Sequence, residues 1–390
     1  MRRVAASAEC WRFLALALAV RVDASAQAGA SPAHDTLLVL QGGEYLDTRA
    51  GVLRPNGAIV VREGRIVEIQ PPVEPLRLPP GAKTLDLRGR TVLPGLIDTH
   101  VHLTLSGDPA ANALATLRAG FTTVVDLGSA DGAGLKLRDR IARGAVPGPT
   151  VLAAGSWIGA KGGVCEFGGA TVAGPGEARR RAQADLDAGA DLLKVCVTGW
   201  PADAIAAPDS VELGTGPLDA VLEVARAAGL PVYAHAIGRA GALLAVEHGV
   251  RALAHTPIVD SATAVHLRAT GVVVISTLAT LTARPEKGEL LRSFKLLRSA
   301  GVPIVLGTDA GVLTHGRNAD EILALVEAGL TPAEAIRAAT VEAAALLGRK
   351  DLGEIAIGAA ADFVVVIGDP LEAPGLLARP ALVLKAGRQP

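Results

Sequence analysis

From residue 92 onward the chain alternates short apolar runs with longer stretches rich in Ala, Leu, Glu and Arg. The runs are Leu93–Asp98, Thr122–Leu127, Thr150–Ala154, Asp191–Val197, Pro231–Ala236, Ala252–His255, Val272–Thr277 and Pro303–Asp309. Each is apolar along most of its length, the pattern of a strand covered on both faces. The stretches between them, such as 176–188 and 218–228, carry a helical pattern and end near a glycine able to cap them. Eight strand–helix units predict an α/β fold, a (β/α)8 TIM barrel. A doubly wound open sheet is the runner-up, because a strand count does not prove closure.

The flanks follow a different pattern. Leu37–Leu40, Ala58–Val61, Arg65–Ile69 and Thr84–Leu87 are separated by Gly and Pro and predict short antiparallel strands. Ala361–Ile367 and Leu382–Lys385 repeat that style at the other end. Together they predict one small β-sandwich domain built from both termini, with residues 27–91 and 351–390 as its two parts and 92–350 as the barrel. Residues 1–26 form a signal peptide on this reading. Arg2 and Arg3 precede the apolar run Phe13–Val20, and Ala24-Ser-Ala26 supplies a small-residue cleavage site.

The polar residues at the strand ends bring in chemistry. Asp98, His100 and His102 follow the first run, Lys194 lies in the fourth, and His235, His255 and Asp309 end the fifth, sixth and eighth. The spacing of His100 and His102 puts both imidazoles on one face of a strand, where they can grip one transition metal. Singly, each residue has a structural reading: His235 and His255 as hydrogen-bonded core histidines, Asp309 as a helix cap, Lys194 as a snorkelling strand-edge lysine. Jointly they converge on one barrel mouth, and buried charged groups persist when paired or metal-bound. Lys194 has apolar neighbours on both sides, and burial disfavours the charged form of an amine. A neutral amine can capture carbon dioxide as a carbamate able to bridge two metals.

With these residues in view, the sequence resembles the binuclear-metal branch of the amidohydrolase superfamily. The motifs are Pro94-Gly-Leu-Ile-Asp-Thr-His-Val-His102, Gly189-Ala-Asp-Leu-Leu-Lys194, Val232-Tyr-Ala-His235, Leu253-Ala-His255 and Gly307-Thr-Asp-Ala-Gly311. Within that branch it is similar to the imidazolonepropionase-related, Xaa-Pro dipeptidase-like group, through His315-Gly-Arg-Asn-Ala-Asp320 and the segment Glu327–Thr340. The resemblance implies that His100, His102 and Asp309 hold one metal, His235 and His255 a second, and carbamylated Lys194 bridges the two with a hydroxide. It departs from many relatives at Gly162-Gly-Val-Cys165, which lacks a histidine, and at Ile237, where a second histidine is common.

The reaction this implies is cleavage of an amide or peptide-like C–N bond by the bridging hydroxide, with Asp309 carrying the proton, in an Xaa-Pro dipeptidase or N-acyl amino acid hydrolase. Lactone or organophosphate ester hydrolysis on the same site is the alternative, and an exported metal- or ligand-binding protein without turnover a further one. A deaminase is disfavoured by Lys194 and by the Glu-free run Ala234–Gly238. His315 and Tyr233 are candidate substrate contacts, with loop stabilisation and core filling as their structural readings. Asp98 is read as orienting a ligand imidazole. Imidazole and carboxylate donors suit two divalent ions, zinc first, with manganese, cobalt or iron as alternatives.

Composition narrows the partners. The formal net charge is −1 over 390 residues. Removal of residues 1–26, with four arginines and two acids, moves it to −3, which gives no basic footprint for nucleic acid or a membrane surface. The expected partner is a small-molecule substrate, with a homo-oligomer allowed, and the expected location is periplasmic or secreted. Of three cysteines, Cys165 and Cys196 survive cleavage, too few for a disulfide framework. They are expected as free thiols, with a single bridge between them as the other arrangement.

Overall fold

The computed structural model describes residues 37–390, apart from 74, 282 and 283. The predicted signal peptide lies outside the described residues. Each of the eight runs overlaps a strand, here called β1 (Leu96–Val101), β2 (Phe121–Asp126), β3 (Thr150–Ala153), β4 (Leu193–Cys196), β5 (Val232–His235), β6 (Ala252–Ala254), β7 (Val273–Ile275) and β8 (Ile304–Val305). β1, β2 and β3 pair in parallel as one sheet, and β4 to β8 pair in parallel in sequence order within another. The second sheet also includes two short strands that the hydrophobic pattern did not reveal, Trp157–Ala160 beside β4 and Thr171–Val172 at its edge. Helices separate the parallel strands. The one over Pro109–Arg118 starts where Asp108 Oδ1 accepts the Ala111 N–H at 2.7 Å, with Pro109 at its first position.

The first run does not form a single strand. The chain breaks at Gly95, and Arg90–Pro94 pairs with the C-terminal strand Phe363–Ile367 while Leu96 enters β1. A Cβ at Gly95 would lie 2.0 Å from Thr122 Oγ1, so only glycine fits where the backbone passes from one sheet to the other. The terminal strands form a five-stranded sheet, Leu382–Leu384, Phe363–Ile367, Arg90–Pro94, Glu44–Asp47 and Val52–Pro55, joining both ends of the chain. A four-stranded sheet holds Arg65–Gln70, Ala58–Arg62, Leu38–Gln41 and Lys83–Asp86. Contrary to the all-antiparallel expectation, Leu38–Gln41 and Lys83–Asp86 run parallel, as do Glu44–Asp47 and Arg90–Pro94.

The expectation of free thiols is overturned: Cys165 and Cys196 are disulfide-bonded, with Cα atoms 6.2 Å apart. The glycine-rich loop carrying Cys165 folds over the end of β4. A Cβ at Gly159 would stand 3.1 Å from that of Cys165, so the missing side chain lets the loop close down. No helix among the described residues is long and apolar enough to cross a membrane.

Candidate metal centre

Alternation along β1 buries Asp98 and His100 on one face, with His102 just past the strand end. His100 Nε2 lies 3.2 Å from His102 Nε2, and these two atoms are 3.4 and 3.2 Å from Asp309 Oδ1. Two imidazole nitrogens and a carboxylate oxygen thus point at one place. Asp309 reaches it because its backbone is left-handed, with φ 56°, while its N–H bonds the His100 carbonyl at 2.8 Å. His255, at φ 74°, is also left-handed, and its ring centroid is 4.9 Å from that of His100 and 4.5 Å from that of His235. Such conformations cost on the order of 1–3 kcal/mol each and persist where surrounding structure imposes them.

The hydrogen bonds around the rings select which nitrogens face the centre. His255 Nδ1 pairs with Thr277 Oγ1 at 2.9 Å, His102 Nδ1 approaches the Gly128 carbonyl at 3.4 Å, and His235 Nε2 faces the Gly199 carbonyl at 3.1 Å. A ring N–H donated to each carbonyl leaves Nε2 of His102 and Nδ1 of His235 as lone-pair donors. The Thr277 contact likewise leaves Nε2 of His255. Burial holds the His100 and His255 imidazoles well below their ordinary value and pushes His235 down to about 4, so these rings are neutral. Burial works to raise the Asp309 carboxyl. The surrounding histidines, His100 first, outweigh it and keep the group well below the usual carboxylate range.

Lys194 is 2% exposed, and its Nζ has no hydrogen-bond partner. Burial pushes the amine down to about 7, against a smaller opposing pull from Asp309. A buried amine without a partner is costly. Together with the convergent lone pairs of His100, His102 and Asp309, it fits a site that holds metal.

Among the described residues Asp98 hydrogen-bonds no imidazole nitrogen, so it acts on His100 through the backbone and not through the ring as expected. Its Oδ1 accepts the backbone N–H groups of His100 and Thr308 at 3.1 and 3.0 Å, and its Oδ2 accepts Thr308 Oγ1 and Asn318 Nδ2 at 2.6 and 2.8 Å. It therefore ties the backbone of β1 to the segment that presents Asp309. Tyr233 packs among Ile97, Val125, Ala252 and Ile275 and does not line the cavity. His315 uses both ring nitrogens locally, Nδ1 on Thr116 Oγ1 at 3.0 Å and Nε2 on the His102 carbonyl at 3.3 Å.

Above His235, His255 and Asp309 opens a cavity of about 140 Å³, walled by Trp200, Ile237, Leu290 and Val312, with Arg284 among its lining residues. That is on the order of the space that admits one benzene-sized molecule. The sequence reading missed Thr277, Trp200 and Arg284. Only the position of Thr277 at the end of a predicted strand hinted at a role.

Comparison with known proteins is consistent with this geometry. The family model described as "Amidohydrolase family" matches residues 91–389. An imidazolonepropionase of Salinispora arenicola is 30% identical over 377 residues, covering 85% of this chain and 92% of that protein. A Mycobacterium tuberculosis protein is 46% identical over 92 residues, a match spanning 23% of this chain and 24% of its own length. Among solved structures, a Xaa-Pro dipeptidase with bound methionine superposes with a TM-score of 0.83 at 28% identity, covering 91% of this chain and all of that one.

Proposed function

Because the chain belongs to the amidohydrolase family, hydrolases acting on C–N bonds, we propose that it cleaves a small amide at a two-metal centre. The observation that carries this reading is the convergence of His100, His102, Asp309, His235 and His255 beside the unpartnered amine of Lys194. His100, His102 and Asp309 would hold one ion and His235 and His255 the other, with a carbamate on Lys194 between them. Zinc is the first choice for such donors. When bound, the ions supply Lewis acidity and lower the pKa of water to about 7. Asp309, kept ionised, accepts the proton of the attacking water and passes it to the leaving nitrogen. Lys194 has a neutral fraction near pH 7, so the lone pair of the neutral amine can add to carbon dioxide and lose one proton, giving a carbamate anion.

The names of similar proteins, a Xaa-Pro dipeptidase and a prolidase complexed with N-methylphosphonate-L-proline among them, favour dipeptides or N-acyl amino acids as substrates. We also propose that β1 to β8 close into a (β/α)8 barrel. Two contacts support closure: the N–H of Asp191, two residues before β4, bonds the carbonyl of Ala153 in β3 at 2.9 Å, and the Thr99 N–H in β1 bonds the carbonyl of Leu306, just after β8, at 3.0 Å. An open sheet would leave one of these seams unpaired. The shared core of Leu40, Ile59 and Ile66 with Val92, Phe363 and Val365 supports a sandwich of the two terminal sheets. For residues 1–26 we propose export with cleavage before Gln27.

The test compares Xaa-Pro dipeptides, N-acyl amino acids and lactones with the metal-loaded protein. Hydrolysis confined to the amides supports this reading, and turnover of lactones alone would replace it with ester hydrolysis.

A further inference from the structure

Apart from the neutral histidines, two ionisable side chains line the cavity, Asp309 and Arg284. Asp309 is committed to His100 and His102. Arg284 is exposed and has no carboxylate at ion-pair distance among the described residues, whereas cations nearby are paired: Lys287 with Glu327 at 2.8 Å, Arg292 with Glu289. A guanidinium against an apolar wall, with its donors uncommitted, recognises a planar carboxylate.

The second feature is aromatic. The sequence holds ten aromatic residues, three Trp, five Phe and two Tyr. Three of them form a series of ring contacts between the two groups of histidines. From His102 to Trp157 to Phe167 to Trp200 to His235 the centroid distances are 5.4, 5.1, 6.4 and 6.4 Å. Phe167 and Trp200 are 56% and 48% exposed, although burying such rings would stabilise the fold. Phe167 lies two residues after Cys165, so the disulfide to Cys196 at the end of β4 holds its loop in place. Trp200 lines the cavity and Phe167 stacks on it, and large apolar rings kept in water there mark a surface for a ligand.

We propose that the site selects amides carrying both a free carboxylate, paired with Arg284, and a bulky apolar or aromatic group, packed on Trp200 and Phe167: N-acyl amino acids of the large hydrophobic residues. This inference rests on the amide-hydrolase reading for turnover but not for binding, and binding tests it separately. Calorimetry would measure the affinity of the metal-loaded protein, wild type and variants, for N-acetyl-L-phenylalanine, its neutral C-terminal amide and N-acetyl-L-alanine.

The wild type is expected to bind the phenylalanine acid at least about tenfold more tightly than its amide. Arg284→Gln should bring the two within about twofold while keeping the affinity for the amide, which also reports that the variant is folded. Trp200→Ala should weaken the phenylalanine acid by about tenfold and leave the alanine acid nearly unchanged. Equal binding of acid and amide by the wild type, an acid preference that survives Arg284→Gln, or no binding of any of the three overturns the proposal. Arg284-dependent binding without hydrolysis would leave the proposal standing and overturn the amide-hydrolase reading. Hydrolysis with an acid preference independent of Arg284 would do the reverse.

Discussion

Asp309 combines three demands in one residue: a left-handed backbone, a carboxylate within 3.2–3.4 Å of two imidazole nitrogens, and a charge maintained against burial. Asparagine tolerates the same backbone region and nearly matches the shape, so Asp309→Asn should fold. It removes the proton acceptor, and turnover is expected to fall by roughly 10²–10⁴. Steady-state kinetics at verified metal occupancy checks this, and near-normal turnover would refute the proton-carrying role. The placement of the two histidine groups, Lys194 and Asp309 was legible in the sequence because strand ends collect them and apolar neighbours flag the lysine. Their supports were not. The carbonyls of Gly128 and Gly199 carry no side-chain signature, and Thr277 reaches His255 only because its own backbone is left-handed, with φ 53°.

At the level of elements, the turn after β7 is held by Glu321, whose Oε1 accepts Ser276 Oγ at 2.6 Å and the Leu278 N–H at 2.8 Å. Its Oε2 accepts the Ala279 N–H at 2.6 Å. That turn presents Thr277 to His255. Burial pushes the Glu321 carboxyl up to about 8 from an ordinary 4.5, so folding takes up a proton between those values. A group raised in this way contributes stability that is complete below pH 4.5 and lost as pH rises through about 8. Glu321→Gln does not titrate, and it leaves one buried donor facing an amide NH2, at a cost of about 1–3 kcal/mol. Thermal melts between pH 5 and 9 should show the wild type more stable at the acid end and the gap narrowing toward pH 9. Parallel curves would contradict this account.

The second device of this kind is the disulfide. Linking residues 31 apart in sequence, it should contribute about 2–4 kcal/mol, so the Cys165→Ser, Cys196→Ser double variant should melt at lower temperature. An unchanged melting temperature would show that the bridge adds nothing. The pairing was not legible because Cys165 lies in a loop whose path over β4 depends on the absent Cβ of Gly159. The break at Gly95 was hidden for a related reason: the apolar run continues through it, and only the close approach of Thr122 divides it between two sheets.

For the whole molecule, the alternation of apolar runs and helical stretches made the eight parallel strands readable, since a mostly buried sheet shows itself as continuous hydrophobicity. The terminal sheets were read only in part, because Glu44–Asp47 and Val52–Pro55 carry charged and exposed positions that weaken their pattern. The strand ends bring His100, His102, His235, His255 and Asp309 together with the buried Lys194, and the proposed two-ion centre would stabilise this buried cluster. The direct test is the metal content of the purified, dialysed protein by plasma mass spectrometry. The account predicts two divalent ions per chain, and one or none in an active enzyme would contradict it.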